Sequence, residues 1–104
     1  MKKLAVFLFF VFSNNALAMN KWVGHWIAYD QWQSEFSIFI SENGSANSNY
    51  GNGEKGSWKS IDGNLEINWS SGQKDFFFDG VMGYQRIRKS KNRSYTSGLK
   101  KSFD

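Results

Sequence analysis

The sequence predicts an all-β domain: an antiparallel up-and-down meander of about seven strands, curled into a small barrel or a strongly curved sheet. Three observations carry this. Short segments alternate apolar and polar residues with period two, the spacing of a strand with one buried face. Asn-Gly, Asp-Gly and Ser-Gly pairs recur between those segments, as tight hairpins require. No window of helical length carries an apolar stripe at 3.6-residue spacing, and the chain contains no proline. A lone meander with one apolar face would leave that face in water, so the sheet is expected to curl onto itself.

The elements follow in order. The first strand is read from about Lys21 to Tyr29. The second runs from Glu35 to Ser41, with Phe36, Ile38 and Ile40 on one face. Asn43-Gly44 is the strongest turn signal, and a type I′ turn is expected there because both its central positions need positive φ. Ser45 to Tyr50 returns as a polar strand, followed by the loop Gly51 to Gly56 and a fourth strand from Gly56 to Ile61. Asp62-Gly63 turns into Asn64 to Ser70, where Leu65, Ile67 and Trp69 share a face. Ser71-Gly72 leads to Gln73 to Phe78, and Asp79-Gly80 leads to Val81 through about Lys89. Segment 92–104 is polar and basic and reads as a flexible tail, which leaves residues 19–91 as the single domain. A weak internal repeat runs in parallel: Gly24-His25-Trp26 and Gly56-Ser57-Trp58 each lead through an alternating strand to a polar-Gly pair.

Residues 1–18 differ from everything after them. Lys2 and Lys3 precede an unbroken apolar run from Leu4 to Phe12, then a polar break and Ala16-Leu17-Ala18. That order is the layout of a secretory signal peptide, with cleavage expected after Ala18. As a helix the nine-residue run would rise only about 13 Å, too short for roughly 30 Å of hydrocarbon. The expected location is periplasmic or secreted. No further apolar stretch is long enough to span a membrane. The remaining 86 residues of the 104 contain no cysteine, so a small exported domain must here be held by packing rather than disulfides.

Few residues point to chemistry. His25 is the only histidine, and with no cysteine it lacks the partners a zinc site recruits, so a structural or surface role is expected. Of the eight carboxylates in residues 19–84, Glu42, Asp62 and Asp79 sit beside turns, and only Asp75, against Phe76-Phe77-Phe78, is placed to be desolvated. One such group is not an acid–base dyad, and no nucleophile triad, phosphate loop or dinucleotide fingerprint is present. Charge is uneven: residues 19–84 carry a net −4 and residues 85–104 a net +6. A basic segment on an exported chain suits anionic lipid headgroups, lipopolysaccharide or an acidic protein; nucleic acid is not expected as a partner there.

The aromatics Trp22, Trp26, Tyr29 and Trp32 crowd one stretch. Buried they are core, and exposed they would form a stacking platform for a sugar or another amphipathic ligand. Trp22 and Trp26 share strand parity, whereas Trp32 falls in a loop and is the aromatic most expected at the surface.

Gly24-x-Trp26 at the start of the first strand resembles the opening motif of the calycin group, the lipocalins, avidins and similar barrels. The resemblance implies a barrel closed at one end by Trp26, with a basic residue from the last strand, Arg86 or Arg88, packed across the indole. Lipocalins and avidins have longer chains and eight full strands, so a small barrel with little interior space is expected here. The function expected is a non-enzymatic binding protein for a glycan, a small amphipathic molecule or an anionic envelope component. It would require no cofactor and would make contact through Trp22, Trp26, Tyr29, Trp32, Arg86 and Arg88, with the basic segment continuing to Arg93. The alternative is an inhibitor or accessory factor of the cell envelope that uses the loop Ser45 to Lys55; an enzyme built on Asp75 ranks last.

Overall fold

The structure, a computed structural model, describes residues 20–103. The export signal expected over residues 1–18 lies outside the described residues. Eight antiparallel strands follow one another around a closed barrel: β1 (Gly24–Tyr29), β2 (Glu35–Ile40), β3 (Ser45–Ser48), β4 (Glu54–Ile61), β5 (Asn64–Trp69), β6 (Lys74–Gly80), β7 (Gly83–Lys89) and β8 (Ser94–Ser102). Every strand pairs with its sequence neighbours, and β8 returns to β1. Among the described residues no helix is long and apolar enough to cross a membrane.

The strand beyond the expected seven is β8, in the segment read as a flexible tail. It pairs with β7 from Gln85↔Gly98 to Lys89↔Ser94 and with β1 from His25↔Ser102 to Ala28↔Leu99. Without it the sheet would present two open edges; with it the ring has none.

Period-two alternation sets the interior. Trp26 and Ala28 of β1, Phe36, Ile38 and Ile40 of β2, Leu65, Ile67 and Trp69 of β5 and Phe77 of β6 are all buried, and their strand neighbours are exposed or half-buried except Glu66, which is buried between Leu65 and Ile67 in the chain. Burying each large apolar side chain contributes about 1.5–3 kcal/mol, which is how a disulfide-free domain of this size is held. The barrel is filled by its own side chains through most of its length.

Turn chemistry departs from expectation at two hairpins. At Asn43-Gly44 only the glycine takes positive φ (94°). The loop carries an extra residue, and the Asn43 side chain instead accepts hydrogen bonds from Ser45 N (3.0 Å) and Ser45 Oγ (2.7 Å). Asp62-Gly63 is the pair with positive φ at both positions, 52° and 85°. At β6–β7 the turn lies two residues later than read: Gly80 pairs with Gly83, and Val81-Met82 form the tip, both more than nine-tenths exposed. The loop Ser45 to Lys55 is likewise shorter than read, because β3 and β4 claim most of it.

One end of the barrel is closed by aromatics. A 3-10 turn, Asn20–Trp22, lays Trp22 across it, with Trp22 Nε1 donating to the carbonyl of Gly63 (2.9 Å). Trp26 Nε1 donates to the Trp22 carbonyl (2.8 Å), and its ring meets Phe77 and Tyr84 edge-on at 5.6 and 5.1 Å. The basic residue across Trp26 is Lys101 of β8, not Arg86 or Arg88. Its Nζ lies 4.7 Å from the ring centroid and donates to the carbonyl of Val23 (2.6 Å). Gly24 makes room for it, since a Cβ at that position would stand 3.0 Å from Nζ. Arg86 and Arg88 are drawn toward the other end by carboxylates.

Candidate functional site: the polar end of the barrel

β6 turns Asp75 inward at the parity of Phe77, and β7 turns Arg86 and Arg88 inward around the outward Ile87. Asp75 and Arg88 are direct cross-strand partners. Asp75 Oδ1 accepts from Arg86 Nη1 (2.8 Å) and Arg88 Nε (3.0 Å), while Oδ2 accepts from Arg88 Nη2 (3.0 Å) and Trp69 Nε1 (2.8 Å). Glu54 of β4 accepts a further bond from Arg88 Nη2 (3.0 Å). Asp75 and Arg86 have no solvent exposure. Two carboxylates and two guanidiniums therefore form a charge-balanced group inside the barrel, as buried ions must.

Arg86 is held on further sides. Its Nη2 donates to the carbonyl of Tyr29 (2.7 Å) and the hydroxyl of Tyr95 (3.0 Å), and its guanidinium stands 5.0 Å from the Phe36 ring centroid. Arg86 Nε is the one fully buried side-chain donor with no partner among the described residues. Burial works against the charge of Arg88, but hydrogen bonds to Asp75 and Glu54 and their charges outweigh it and hold its pKa above the ordinary guanidinium value. Burial, with Asp30 nearby, raises the Tyr50 phenol above its usual value. Asp30 itself caps the β1–β2 loop, its Oδ1 accepting from Trp32 N (2.8 Å) and Ser34 N (2.9 Å).

Above this network lies a cleft of about 460 Å³. Its walls are Arg88 and Arg93, Tyr50 and Tyr95, Gln31 and Gln73, with Ser90 and Asn92 of the β7–β8 turn and Ser94 at the start of β8. None of these nine side chains is a carboxylic acid. Arg88 spends Nε and Nη2 on Asp75 and Glu54, and its Nη1 has no partner among the described residues.

The expected contact residues separate. Trp22 and Trp26 are buried in the closed end, away from the cleft. Arg86 is sealed beneath it, and Tyr29 contributes a carbonyl that also accepts from Ser97 Oγ (2.8 Å). Arg88 lines the cleft, and Trp32, 74% exposed, stands next to Gln31. Tyr50, Tyr95, Gln31, Gln73 and Glu54 were not among the expected contact residues, and they come together only when three loops, the start of β4 and β8 converge. His25 is on the barrel exterior, stacked on Phe39 at 4.5 Å with Nε2 2.8 Å from Ser37 Oγ. Among the described residues no three His, Cys, Asp or Glu side chains are grouped to hold a metal.

No protein-family model, curated protein or solved structure shows a significant match to the chain. The functional reading therefore rests on the geometry of this end of the barrel.

Proposed function

We propose that the chain is an exported, non-enzymatic binding protein for an anionic component of the cell envelope, with the polar end of the barrel as its recognition surface. The observation that carries this is the cleft beside Arg88 and Arg93, which has two guanidiniums and no acid among its lining side chains. Arg88 is already fixed by Asp75 and Glu54, so an incoming anion meets an ordered donor and loses little side-chain entropy in binding. Trp32, exposed and adjacent in sequence to the lining residue Gln31, supplies an aromatic surface and a reporter, since Trp22, Trp26 and Trp69 are buried and Trp58 is half-buried.

The test is a titration of the mature protein by tryptophan fluorescence with lipopolysaccharide and with phosphatidylglycerol or neutral vesicles, at about 0.1 M and about 1 M salt. A saturable response to an anionic material, lost at high salt and weakened in Arg93→Ala, is the expected result. Binding that ignores both salt and Arg93 would overturn the reading. A second reading, an accessory factor or inhibitor acting on another protein, is favoured by one observation: Val81 and Met82 stand fully in solvent at the β6–β7 tip. Loss of partner inhibition in Val81→Ser/Met82→Ser, with anion binding absent, would select it.

A further inference from the structure

We infer that the cleft seats one carboxylated sugar ring, a uronate-type unit, with the carboxylate against Arg88 Nη1 and Arg93. This deepens the proposed function and rests on the same surface. Arg86 and Arg88 are balanced by Asp75 and Glu54 within the barrel, so Arg93 is the remaining cation among the lining side chains, while the buried Asp30 carboxylate stands behind the Tyr50 wall, its Oδ2 3.5 Å from the Tyr50 hydroxyl. One remaining cation with a carboxylate close behind the wall suits a monoanion better than a dianionic phosphate. Arg88 Nη1 still offers unused N–H donors, and a planar carboxylate can bridge them to a second guanidinium.

The rest of the lining reads as a site for hydroxyl groups. Gln31, Gln73 and Asn92 can each donate and accept, as a sugar hydroxyl does. The Tyr95 oxygen accepts from Arg86 Nη2, which leaves its own O–H to donate toward a ligand. Tyr50 and Tyr95 supply aromatic wall for the C–H face of a ring. A volume of about 460 Å³ lies in the lower part of the roughly 300–1,000 Å³ range of small-molecule sites. Amides, hydroxyls and guanidiniums dominate its walls, which disfavours an acyl chain as the occupant.

The experiment is isothermal calorimetry on the mature protein with sodium glucuronate, glucose, glucose 6-phosphate and acetate. Glucuronate is expected to bind saturably, about tenfold or more tighter than either glucose or acetate, because the site reads both the ring and its charge. Arg93→Gln is expected to lose about tenfold in glucuronate affinity with an unchanged melting temperature, since Arg93 is exposed. Equal binding of acetate would show that the ring is not read. Equal binding of glucose would show that the charge is not read, and tighter binding of glucose 6-phosphate would show a dianion site. Each of these, or no binding of any sugar, overturns the inference. If lipopolysaccharide or anionic vesicles still bind through Arg93, the broader reading stands while this one fails.

Discussion

Replacing Asp75 by Asn tests whether the buried charge network holds the barrel together. The substitution keeps the shape but removes the charge that balances two guanidiniums, and one of the two acceptor oxygens becomes a donor. That nitrogen must face either Arg86 Nη1 and Arg88 Nε, or Arg88 Nη2 and Trp69 Nε1, all within 3.0 Å of the present carboxylate. Leaving a buried charge without its partner costs about 3–5 kcal/mol. A domain of this size has roughly 4–13 kcal/mol in total, at 0.05–0.15 kcal/mol per residue. The variant should therefore melt roughly 12–40 °C lower, at about 4–8 °C per kcal/mol. Urea unfolding followed by tryptophan fluorescence measures the change directly. The double variant Asp75→Leu/Arg86→Leu removes both charges of the tightest pair and should be less destabilised than the sum of its single variants, with Arg88 keeping Glu54. A loss below about 1 kcal/mol for Asp75→Asn, or strict additivity in the double variant, would refute the view that these charges depend on one another.

Two further outcomes follow from the same geometry. Lys101→Met keeps the side-chain stem but removes the cation over Trp26 and the donor to the Val23 carbonyl, and should cost about 1–2 kcal/mol in a thermal melt followed by circular dichroism. Tyr50, with its pKa raised first by burial and then by Asp30, should be a late-titrating phenol among the four tyrosines in an alkaline absorbance titration, and Tyr50→Phe should remove that phase. For a group raised in the folded state, the stabilisation is fully present below the unfolded value of 10.0 and is lost as pH rises through the folded one. Stability should accordingly fall with pH above about 10 in the parent chain, and less steeply in Tyr50→Phe.

How far the sequence could be read depends on where each strand's partners lie. Phe36-x-Ile38-x-Ile40 and Leu65-x-Ile67-x-Trp69 announce an apolar face by themselves, and the burial pattern follows them. β8 announces nothing, because its inward set is Tyr95, Ser97, Leu99 and Lys101, with a single aliphatic among them. Ser97 and Lys101 are turned inward to bond the carbonyls of Tyr29 and Val23, more than sixty residues away in the chain. β7 shows the same inversion: Ile87 is only half-buried while Arg86 and Arg88 point in, the reverse of an ordinary amphipathic strand. Their partners, Asp75 and Glu54, lie 11 and 34 residues away, beyond any local periodicity. The desolvation of Asp75 was legible from the adjacent phenylalanines. The two arginines that satisfy it were expected across the Trp26 indole and as ligand contacts, not as the counter-ions of Asp75.

Closure of the ring decides where another molecule can engage this protein. An open meander would offer an unpaired edge to a second chain, but the pairing of β8 with both β1 and β7 uses the backbone donors and acceptors at the seam. Recognition must then pass through an end of the barrel or across its outer face. The Trp22–Trp26 end is packed with rings and capped by Lys101, whose amine is occupied by backbone carbonyls. The opposite end has polar walls and a guanidinium with donors to spare, and there the internal network has a second consequence. Asp75 and Glu54 do not neutralise Arg88 at random; they fix its plane and leave Nη1 as the nitrogen that remains for a ligand. Weakening the network should therefore cost binding as well as stability. A Glu54→Gln variant, which spares Asp75, is the change that would separate the ordering of Arg88 from the integrity of the fold.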